Sequence, residues 1–304
     1  MAPTIPVILD SDIGTDIDDT WALALLLNCP ELDLRLVSTT TGDTVYRAEL
    51  VARLLDVAQR TDVAIGVGPR QAKTGGPQAG WLADYELSRY AGSILEDGVG
   101  AIVDCIMSAD EPVSVICIGP ASNVAAALER EPEIARRARF IGMHGSIRRG
   151  YAGSEETVAE YNAAQDADGL RRVLGAPWST TLTPLDTCGL VTLKGEKYRA
   201  VLECEDPLTR AVIDNYRIWA PNVRWAGRLD PDRASSTLYD TVAVYLAFSE
   251  ELLEIEPLGL RVTADGHMEI DHTAKETRCA VAWSELAGFE DLLVARLTDT
   301  EHSS

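Results

Sequence analysis

The sequence of 304 residues lacks several features that would point to a particular class of protein. No run of about 18 apolar residues occurs, and a helix that crosses a membrane needs at least that length. Only 27 residues are basic against 48 acidic ones, so the formal net charge is −21. Because nucleic acids and anionic membranes are themselves negatively charged, this balance argues against both as partners. It leaves open a small substrate in a shielded pocket.

Cysteine patterns typical of disulfide frameworks or metal sites are also lacking. The six cysteines are widely scattered and include no C-x-x-C pair. The first residues show neither the basic start nor the apolar stretch of a cleavable secretion signal. We therefore expect a reduced, cytoplasmic protein. With 46% apolar residues, the composition is ordinary for a globular chain with a sizeable core.

Short β-branched runs alternate with helical patterns through the first half of the chain. The apolar spacing predicts strands at residues 5–9, 33–40, 63–67, 113–118 and 139–143. It predicts helices at residues 18–27, 47–58 and 121–128. Because this alternation is typical of β-α-β units, we predict a Rossmann-like α/β fold with an open, mostly parallel central sheet and helices on both faces. In such sheets ligands bind at the carboxyl ends of the strands.

The second half of the chain is more helical. Helices are predicted at residues 208–225, 241–246 and 285–297. Late strands are predicted at residues 258–263, 267–271 and 279–283. Residues 68–80 are rich in Gly and Pro, which predicts a long loop at the carboxyl edge of the sheet. No repeat or linker interrupts the chain, so we expect residues 1–304 to form one domain.

Five aspartates extend from the end of the first predicted strand into the start of the first predicted helix: Asp10, Asp12, Asp16, Asp18 and Asp19. Carboxylates this close repel one another unless a cation or hydrogen-bond donors compensate their charge. An ordinary helix N-terminus would explain Asp18 or Asp19 alone, but not the earlier aspartates as well. The acidic run therefore indicates a site for a hard cation, which prefers oxygen ligands.

Two other acidic signatures fit the run less well. An EF-hand loop that begins at Asp10 would need Glu at its twelfth position, where this chain has Trp21. A haloacid-dehalogenase-like phosphotransferase begins with a strand and Asp-x-Asp, and residues 10–12 satisfy that much. Such enzymes lack the Asp-x-Asp-Asp that follows here, so a phosphotransferase is a minor alternative.

The acidic run resembles the N-terminal signature of the inosine–uridine-preferring nucleoside hydrolases, Asp-x-Asp-x-Gly followed by Asp-Asp at a helix start. The resemblance implies a nucleoside hydrolase-like fold and a bound Ca²⁺. Asp12 and Asp19 would ligate the calcium. Asp18 would be the general base, and Asp10 would support the site. Asp16 lies in a two-residue insertion relative to the simplest family form, so it receives no role and is expected to be a solvated surface charge.

Three further segments follow in the family's order. Residues 118–123 resemble the segment in which a backbone carbonyl, here that of Ile118, binds calcium. Glu160 and Asn162 resemble a clamp on the ribose hydroxyls, and Asp240 resembles the third carboxylate ligand. Each segment alone would be an ordinary turn or helix cap. Their shared order makes coincidence a poor explanation.

Three positions depart from the family pattern. Tyr239 stands where many members have a histidine that protonates a leaving purine. Asp43 replaces an expected asparagine, and Ser154 falls where an asparagine that contacts the ribose is expected. The sugar and base contacts at these positions are therefore open.

The group that protonates the leaving base is not evident from the sequence. His144 follows a predicted strand and Tyr239 precedes the last ligand, so both are candidates. The usual tyrosine pKa of about 10 makes the phenol a reluctant donor. Trp81, Trp219 and Trp225 are candidates for stacking on the base, although each is also a natural packing residue.

The resemblance implies a homodimer or homotetramer that hydrolyses the N-glycosidic bond of purine or pyrimidine ribonucleosides, with calcium-bound water activated by Asp18. A calcium-dependent riboside-binding protein without catalysis is the second hypothesis, because Tyr239, Asp43 and Ser154 replace expected polar groups. The nucleobase is not identified by these motifs.

Overall fold

The computed structural model describes residues 4–224 and 229–299. Its strands are β1 (Ile5–Ser11), β2 (Leu32–Thr39), β3 (Ala64–Val67), β4 (Ile94–Leu95), β5 (Val113–Cys117), β6 (Ala138–Gly142), β7 (Thr180–Leu182), β8 (Leu253–Val262), β9 (Met268–Ile270) and β10 (Glu276–Trp283). These strands form one sheet in the order β4-β3-β2-β1-β5-β6-β7-β10-β8-β9.

The helices of the described residues vary from one turn to about four turns. They are α1 (Asp18–Leu27), α2 (Thr44–Val57), α3 (Ala79–Leu82), α4 (Gly98–Ser108), α5 (Ser122–Arg130), α6 (Ile134–Arg137), α7 (Tyr161–Gln165), α8 (Ala167–Gly175), α9 (Leu185–Cys188), α10 (Gly195–Leu202), α11 (Pro207–Trp219), α12 (Thr241–Leu246) and α13 (Leu286–Thr298). None of these helices combines the length and apolar character that spanning a bilayer requires.

The sheet is parallel from β4 through β7 and on to β10. Only the pairings of β8 with β10 and β9 are antiparallel. Alternate residues of β1 divide between two buried apolar clusters, with Val7 and Leu9 in one and Ile8 in the other. Because both faces are buried, the parallel strands are almost continuously apolar. The predicted mostly parallel sheet with helices on both faces is confirmed.

Strand β1 occupies the position in the sheet where ligands are expected. The chain continues from β1 to β2 on one side and later places β5 on the other side, so a crevice opens at the carboxyl end of β1. Asp10 pairs there with Ser38 of β2 and with Cys117 of β5. The topology therefore puts the acidic run at the edge that binds ligands in parallel sheets.

Most predicted elements are present, with ends shifted by a few residues. The helices predicted at 18–27 and 241–246 have the bounds of α1 and α12. The helix predicted at 208–225 is shorter, because α11 ends at Trp219 and a short 3₁₀ turn containing Pro221 follows. Proline lacks the N–H that would continue the helical hydrogen bonds.

The sequence pattern misses the strands β4 and β7, the helices α4, α8 and α10, and the short helices α3, α6, α7 and α9. The two strands are only two and three residues long. Helix α4 has Gly98 and Gly100 in its first turn, and glycine is a poor helix former. Asp97 compensates by accepting a hydrogen bond from the Gly100 N–H (3.0 Å). Ile102 and Ile106 then bury the helix against the sheet.

Candidate active site

A cavity of about 420 Å³ opens at the carboxyl edge of the sheet. Six of its lining residues carry carboxyl groups and three are tyrosines. The lining residues are Asp12, Thr15, Asp16, Asp18, Asp19, Ile118, Met143, Tyr151, Glu160, Tyr161, Asn162, Tyr239 and Asp240. The cavity is therefore lined by residues of the acidic run, of the segments that follow β5 and β6, and of the start of α12.

The turn between β1 and α1 brings Thr15 and Asp16 into the cavity wall. Gly14 starts the turn with a positive φ of 105°, and a Cβ at this position would lie 2.6 Å from the Tyr46 ring. Because a side chain would be both strained and blocked here, the turn requires glycine.

Two distant side chains anchor this turn. Gln78 Nε2 donates a hydrogen bond to the Asp16 carbonyl oxygen (2.6 Å), and Trp219 Nε1 donates to the Thr15 carbonyl oxygen (3.0 Å). Asn215 Nδ2 in turn donates to Gln78 Oε1 (2.8 Å). Asp16 is thus held in the wall of the cavity, and the expectation that it is a solvated surface charge is wrong.

Three buried carboxylates converge in the cavity. Oxygen atoms of Asp18, Asp19 and Asp240 all lie within 4.8 Å of one another. Ser11 Oγ donates to Asp19 Oδ1 (2.6 Å), and the Asp240 backbone N–H donates to Asp18 Oδ2 (3.3 Å). These hydrogen bonds fix two of the carboxylates at a separation that suits one cation between them.

Burial and mutual repulsion both oppose ionisation of this group. Burial raises the pKa of Asp18, and the nearby charge of Asp16 raises it further. Burial likewise raises the pKa of Asp19 and Asp240, with added repulsion from neighbouring aspartates. The pKa of Asp16 is raised to about 8, chiefly by burial. Because opposite charge favours ionised carboxylates, the donor set fits a bound metal ion.

Arg47 is a buried cation behind the acidic turn. Its Nη2 lies 3.9 Å from Asp12 Oδ2, where its charge opposes the rise that burial causes in the pKa of Asp12. Its Nε donates to the Thr41 carbonyl oxygen (2.9 Å), and its Nη1 donates to the carbonyl oxygens of Ile13 (2.8 Å) and Asp12. Asp12 lines the cavity outside the group of three converging carboxylates, so its role as a calcium ligand stays a prediction.

Replacement of Arg47 by Met should destabilise the protein by about 3 kcal/mol, because buried carbonyl oxygens lose charge-assisted hydrogen bonds. Urea denaturation would measure the free energy of unfolding. Arg35→Met is the matched control, since Arg35 forms an exposed ion pair with Asp33, and should cost less than about 1 kcal/mol. Equal stability of the two variants would contradict the role given to Arg47.

Asp10 lies beneath the cavity rather than in its wall. Its Oδ1 accepts hydrogen bonds from Ser38 Oγ (2.6 Å) and Asn123 Nδ2 (2.9 Å). Burial raises its pKa to about 7. Asp10 therefore ties β1 to β2 and α5 under the acidic run, which is the placement that a supporting residue needs.

Glu160 caps α7 with both of its carboxylate oxygens. It accepts hydrogen bonds from the backbone N–H groups of Gly145 (2.9 Å), Asn162 (2.7 Å) and Ala163 (3.0 Å). Burial raises its pKa to about 7 even though these donors favour the ionised form. Glu160 thus orders the segment that carries Asn162 into the cavity.

Asn162 connects this segment to the end of β5. Its Nδ2 donates to the carbonyl oxygens of Ile118 (3.1 Å) and Met143 (3.2 Å). The carbonyl predicted to bind calcium and the amide predicted to bind ribose therefore lie one hydrogen bond apart.

Three tyrosines also line the cavity: Tyr151, Tyr161 and Tyr239, here called the tyrosine wall. Tyr151 and Tyr239 meet edge to face, with ring centroids 6.0 Å apart and planes at 87°. The Tyr161 backbone N–H donates to Tyr151 Oη (3.1 Å). Tyr151 and Tyr161 remain 42% and 45% exposed. The sequence motifs point to Tyr239 and include Tyr161, but no motif points to Tyr151.

Residues 7–299 match the family model described as inosine-uridine preferring nucleoside hydrolase. The chain belongs to this family. It is a nucleoside hydrolase, an enzyme that acts on N-glycosidic bonds, and the resemblance of the acidic run is confirmed. Membership removes the support for the phosphotransferase alternative.

Individual relatives cover most of the nucleoside hydrolase chain. A non-specific ribonucleoside hydrolase of Escherichia coli is 26% identical over 275 residues, which cover 86% of this chain and 85% of the relative. A pyrimidine-specific ribonucleoside hydrolase of an Enterobacter species is 29% identical over 218 residues, or 65% of this chain and 66% of the relative.

Solved structures of nucleoside hydrolases share the fold. A purine-preferring ribonucleoside hydrolase from Gardnerella vaginalis has a TM-score of 0.78 at 20% identity and covers 96% of this chain and 98% of its own. A plant nucleoside hydrolase has a TM-score of 0.79 at 19% identity, with coverage of 97% and 99%.

His144 does not reach the cavity of this nucleoside hydrolase. It is fully buried, and its Nε2 donates to the Gly119 carbonyl oxygen (3.1 Å). Its ring lies against Phe140, with centroids 6.0 Å apart. Burial lowers its pKa to about 4, so the imidazole is neutral at neutral pH. The structure therefore places His144 in the core rather than beside a leaving base.

Asp43 and Ser154 also lie apart from the cavity lining. Asp43 caps α2 and forms an ion pair with Arg70 (2.7 Å). Ser154 is exposed, and its Oγ accepts a hydrogen bond from the Glu156 N–H (3.1 Å). Their predicted contacts with ribose would require the loops that carry them to move.

The described tryptophans serve packing. Trp81 is buried, and the Arg53 guanidinium lies 4.5 Å from its ring centroid. Trp219 is fully buried and holds the turn of the acidic run. Trp225 lies outside the described residues, so its predicted stacking on the base stays a prediction.

Proposed function

We propose that this nucleoside hydrolase uses a bound calcium ion to cleave the N-glycosidic bond of ribonucleosides, which releases the base and ribose. The observation that carries the proposal is the convergence of Asp18, Asp19 and Asp240 in a cavity of the size that small ligands occupy. Relatives named as non-specific, pyrimidine-specific and purine-preferring support a ribonucleoside substrate without deciding between bases.

Asp12, Asp19, Asp240 and the Ile118 carbonyl would hold the calcium. All four residues line the cavity, and all offer oxygen, which is the ligand atom that calcium prefers. When bound, calcium would lower the pKa of a water molecule and orient two ribose hydroxyls.

We assign the general base to Asp18 on its position. Its carboxylate converges with those of Asp19 and Asp240, and no ion pair engages it in the part of the chain that the structure describes. Asp12, by contrast, lies beside the Arg47 guanidinium. Asp18 is therefore better placed to take a proton from the water whose oxygen bonds to C1′.

The remaining residues act on the sugar. As the C1′–N bond breaks, its electron pair goes to the base nitrogen and the sugar gains positive charge. The carboxylates around the cavity stabilise that charge electrostatically. Asn162, ordered by the Glu160 cap, would offer its amide oxygen to a ribose hydroxyl, because its Nδ2 already donates to the carbonyl oxygens of Ile118 and Met143.

Release of reducing sugar from a panel of ribonucleosides tests the proposal. We expect turnover with calcium, a loss of about 100-fold or more in the presence of EGTA, and recovery when calcium is restored. Turnover that persists in chelator would contradict the calcium requirement. Calcium-dependent binding of ribosides without any release of sugar would instead support the binding-protein alternative.

A further inference from the structure

The lining of the cavity combines two chemically different groups of side chains. One group is the six carboxyls, which suit a cation and a sugar, and the other is the tyrosine wall. Because a planar heteroaromatic base packs well against aromatic rings, the base of a bound riboside would lie along this wall.

No histidine, lysine or arginine is among the described residues that line the cavity. The whole chain has only four histidines. His144 is enclosed in the core, and His267 is in contact with Asp265 (3.2 Å) between β8 and β9. His272 follows β9, and His302 lies outside the described residues. An imidazole that could protonate the base is therefore not found at the described part of this cavity.

The phenols of the tyrosine wall are weak acids at neutral pH. A phenol ordinarily has a pKa of about 10, and burial raises the pKa of Tyr151 to about 12. The other titratable side chains among the described residues of the cavity are carboxyls. Such a site gives little help to a base that must gain a proton before it leaves.

We propose, on the basis of the riboside hydrolysis above, that this site favours ribosides whose leaving heterocycle already carries a positive charge. An N-ribosyl pyridinium and an N7-alkylated purine riboside have this chemistry. The water oxygen bonds to C1′, and its proton passes to Asp18. The C1′–N electron pair returns to the ring nitrogen and cancels the charge of the heterocycle, which departs as a neutral molecule. No proton has to reach the base.

The charges and rings of the cavity complement such a cation. Six carboxyl groups line it, whereas the buried Arg47 directs its hydrogen bonds to backbone carbonyls behind the acidic turn. Aromatic rings attract cations through their π faces, and Tyr151 and Tyr161 are both substantially exposed. A neutral base gains neither of these attractions.

Paired substrates test the inference in the wild-type, calcium-loaded enzyme. The pairs are inosine with N7-methylinosine and uridine with N-ribosylnicotinamide. We expect kcat/KM to be about 100-fold higher for the cationic member, which is the size of the general-acid contribution that the neutral member would lack. The pair with the larger ratio of kcat/KM values shows whether the enzyme prefers a cationic purine or a cationic pyridine ring as the leaving group.

The inference is supported if kcat/KM for the cationic member exceeds that for the neutral member by about tenfold or more in either pair. A smaller ratio of the two kcat/KM values in both pairs overturns it. In that second case the hydrolysis of inosine and uridine would still support the proposed function. If none of the four ribosides is hydrolysed, the proposed function itself fails.

Tyr151→Leu tests the tyrosine wall separately. Leucine keeps an apolar side chain but removes the π face, so the preference for the cationic member should fall about fivefold. Tyr85→Leu is the matched control, because Tyr85 lies away from the cavity and donates its hydroxyl hydrogen to Asp56. In this variant the ratio of kcat/KM for the cationic and neutral members should equal that of the wild type. An unchanged ratio in Tyr151→Leu would overturn the part assigned to the wall.

Discussion

Replacement of Asp18 by Asn should lower kcat by about 10³-fold and leave calcium affinity within about tenfold of wild type. The asparagine side chain keeps the shape of the aspartate, and its oxygen can still accept the hydrogen bond that the Asp240 N–H donates to Asp18 Oδ2 (3.3 Å). It cannot take a proton from water. The loss therefore falls on the chemical step, which steady-state kinetics and calcium titration by calorimetry would separate from binding.

Two comparison variants make this result decisive. Asp12→Asn removes a proposed ligand, so we expect it to lose calcium affinity and to regain activity at high calcium. Asp56 lies on α2 away from the cavity, so Asp56→Asn should keep the wild-type kcat and calcium affinity. Wild-type turnover in Asp18→Asn would exclude Asp18 as the base. If Asp12→Asn keeps calcium but loses turnover, the base is Asp12 instead.

Calcium should stabilise the protein far more at about pH 8 than at about pH 5. Burial raises the pKa of Asp10 and Glu160 to about 7 and that of Asp16 to about 8. In the unfolded chain these carboxyls titrate near about 4. As pH rises through this window, the unfolded chain releases protons before the folded chain does, so the metal-free protein loses stability. Calcium opposes the loss because it binds ionised carboxylates.

Thermal unfolding in EGTA and in excess calcium measures this linkage. We expect the metal-free Tm to fall by about 10 °C between these two pH values and calcium to restore most of that loss. His144 acts in the opposite direction, because its pKa is lowered to about 4 and its stabilising effect is lost as pH falls. This single histidine offsets only part of the pH dependence that the three buried carboxyls cause. A metal-free Tm that is equal at both pH values and insensitive to calcium would contradict the prediction.

The position of the acidic run could be predicted because local rules determine it. Alternating strand and helix patterns imply parallel neighbours, and ligands then bind where strands such as residues 5–9 end. The structure confirms this placement, with Asp10 in β1 and Asp18 at the start of α1. Short elements such as β4 and β7 carry too little pattern to be predicted, and α4 is missed because glycines in its first turn weaken the helical pattern.

The finer shape of the site depends on contacts between residues that are far apart in the chain. Asp16 enters the cavity wall because Gln78 and Trp219 hold its turn, and these partners are 62 and 204 residues away from the carbonyls they contact. His144 turns into the core, where Gly119 and Phe140 enclose it. Periodicity and spacing report only near neighbours, so such placements could not be predicted from them.

A crystal structure of the calcium-loaded enzyme with ribose bound would test the central claim most directly. We predict one calcium ion in the cavity, with oxygen ligands from Asp12, Asp19, Asp240 and the Ile118 carbonyl at about 2.3–2.6 Å and with two ribose hydroxyls among its further ligands. Asp18 should then lie within hydrogen-bonding distance of the water that faces C1′. Ribose bound in this cavity without calcium, or calcium bound outside it, would contradict the account.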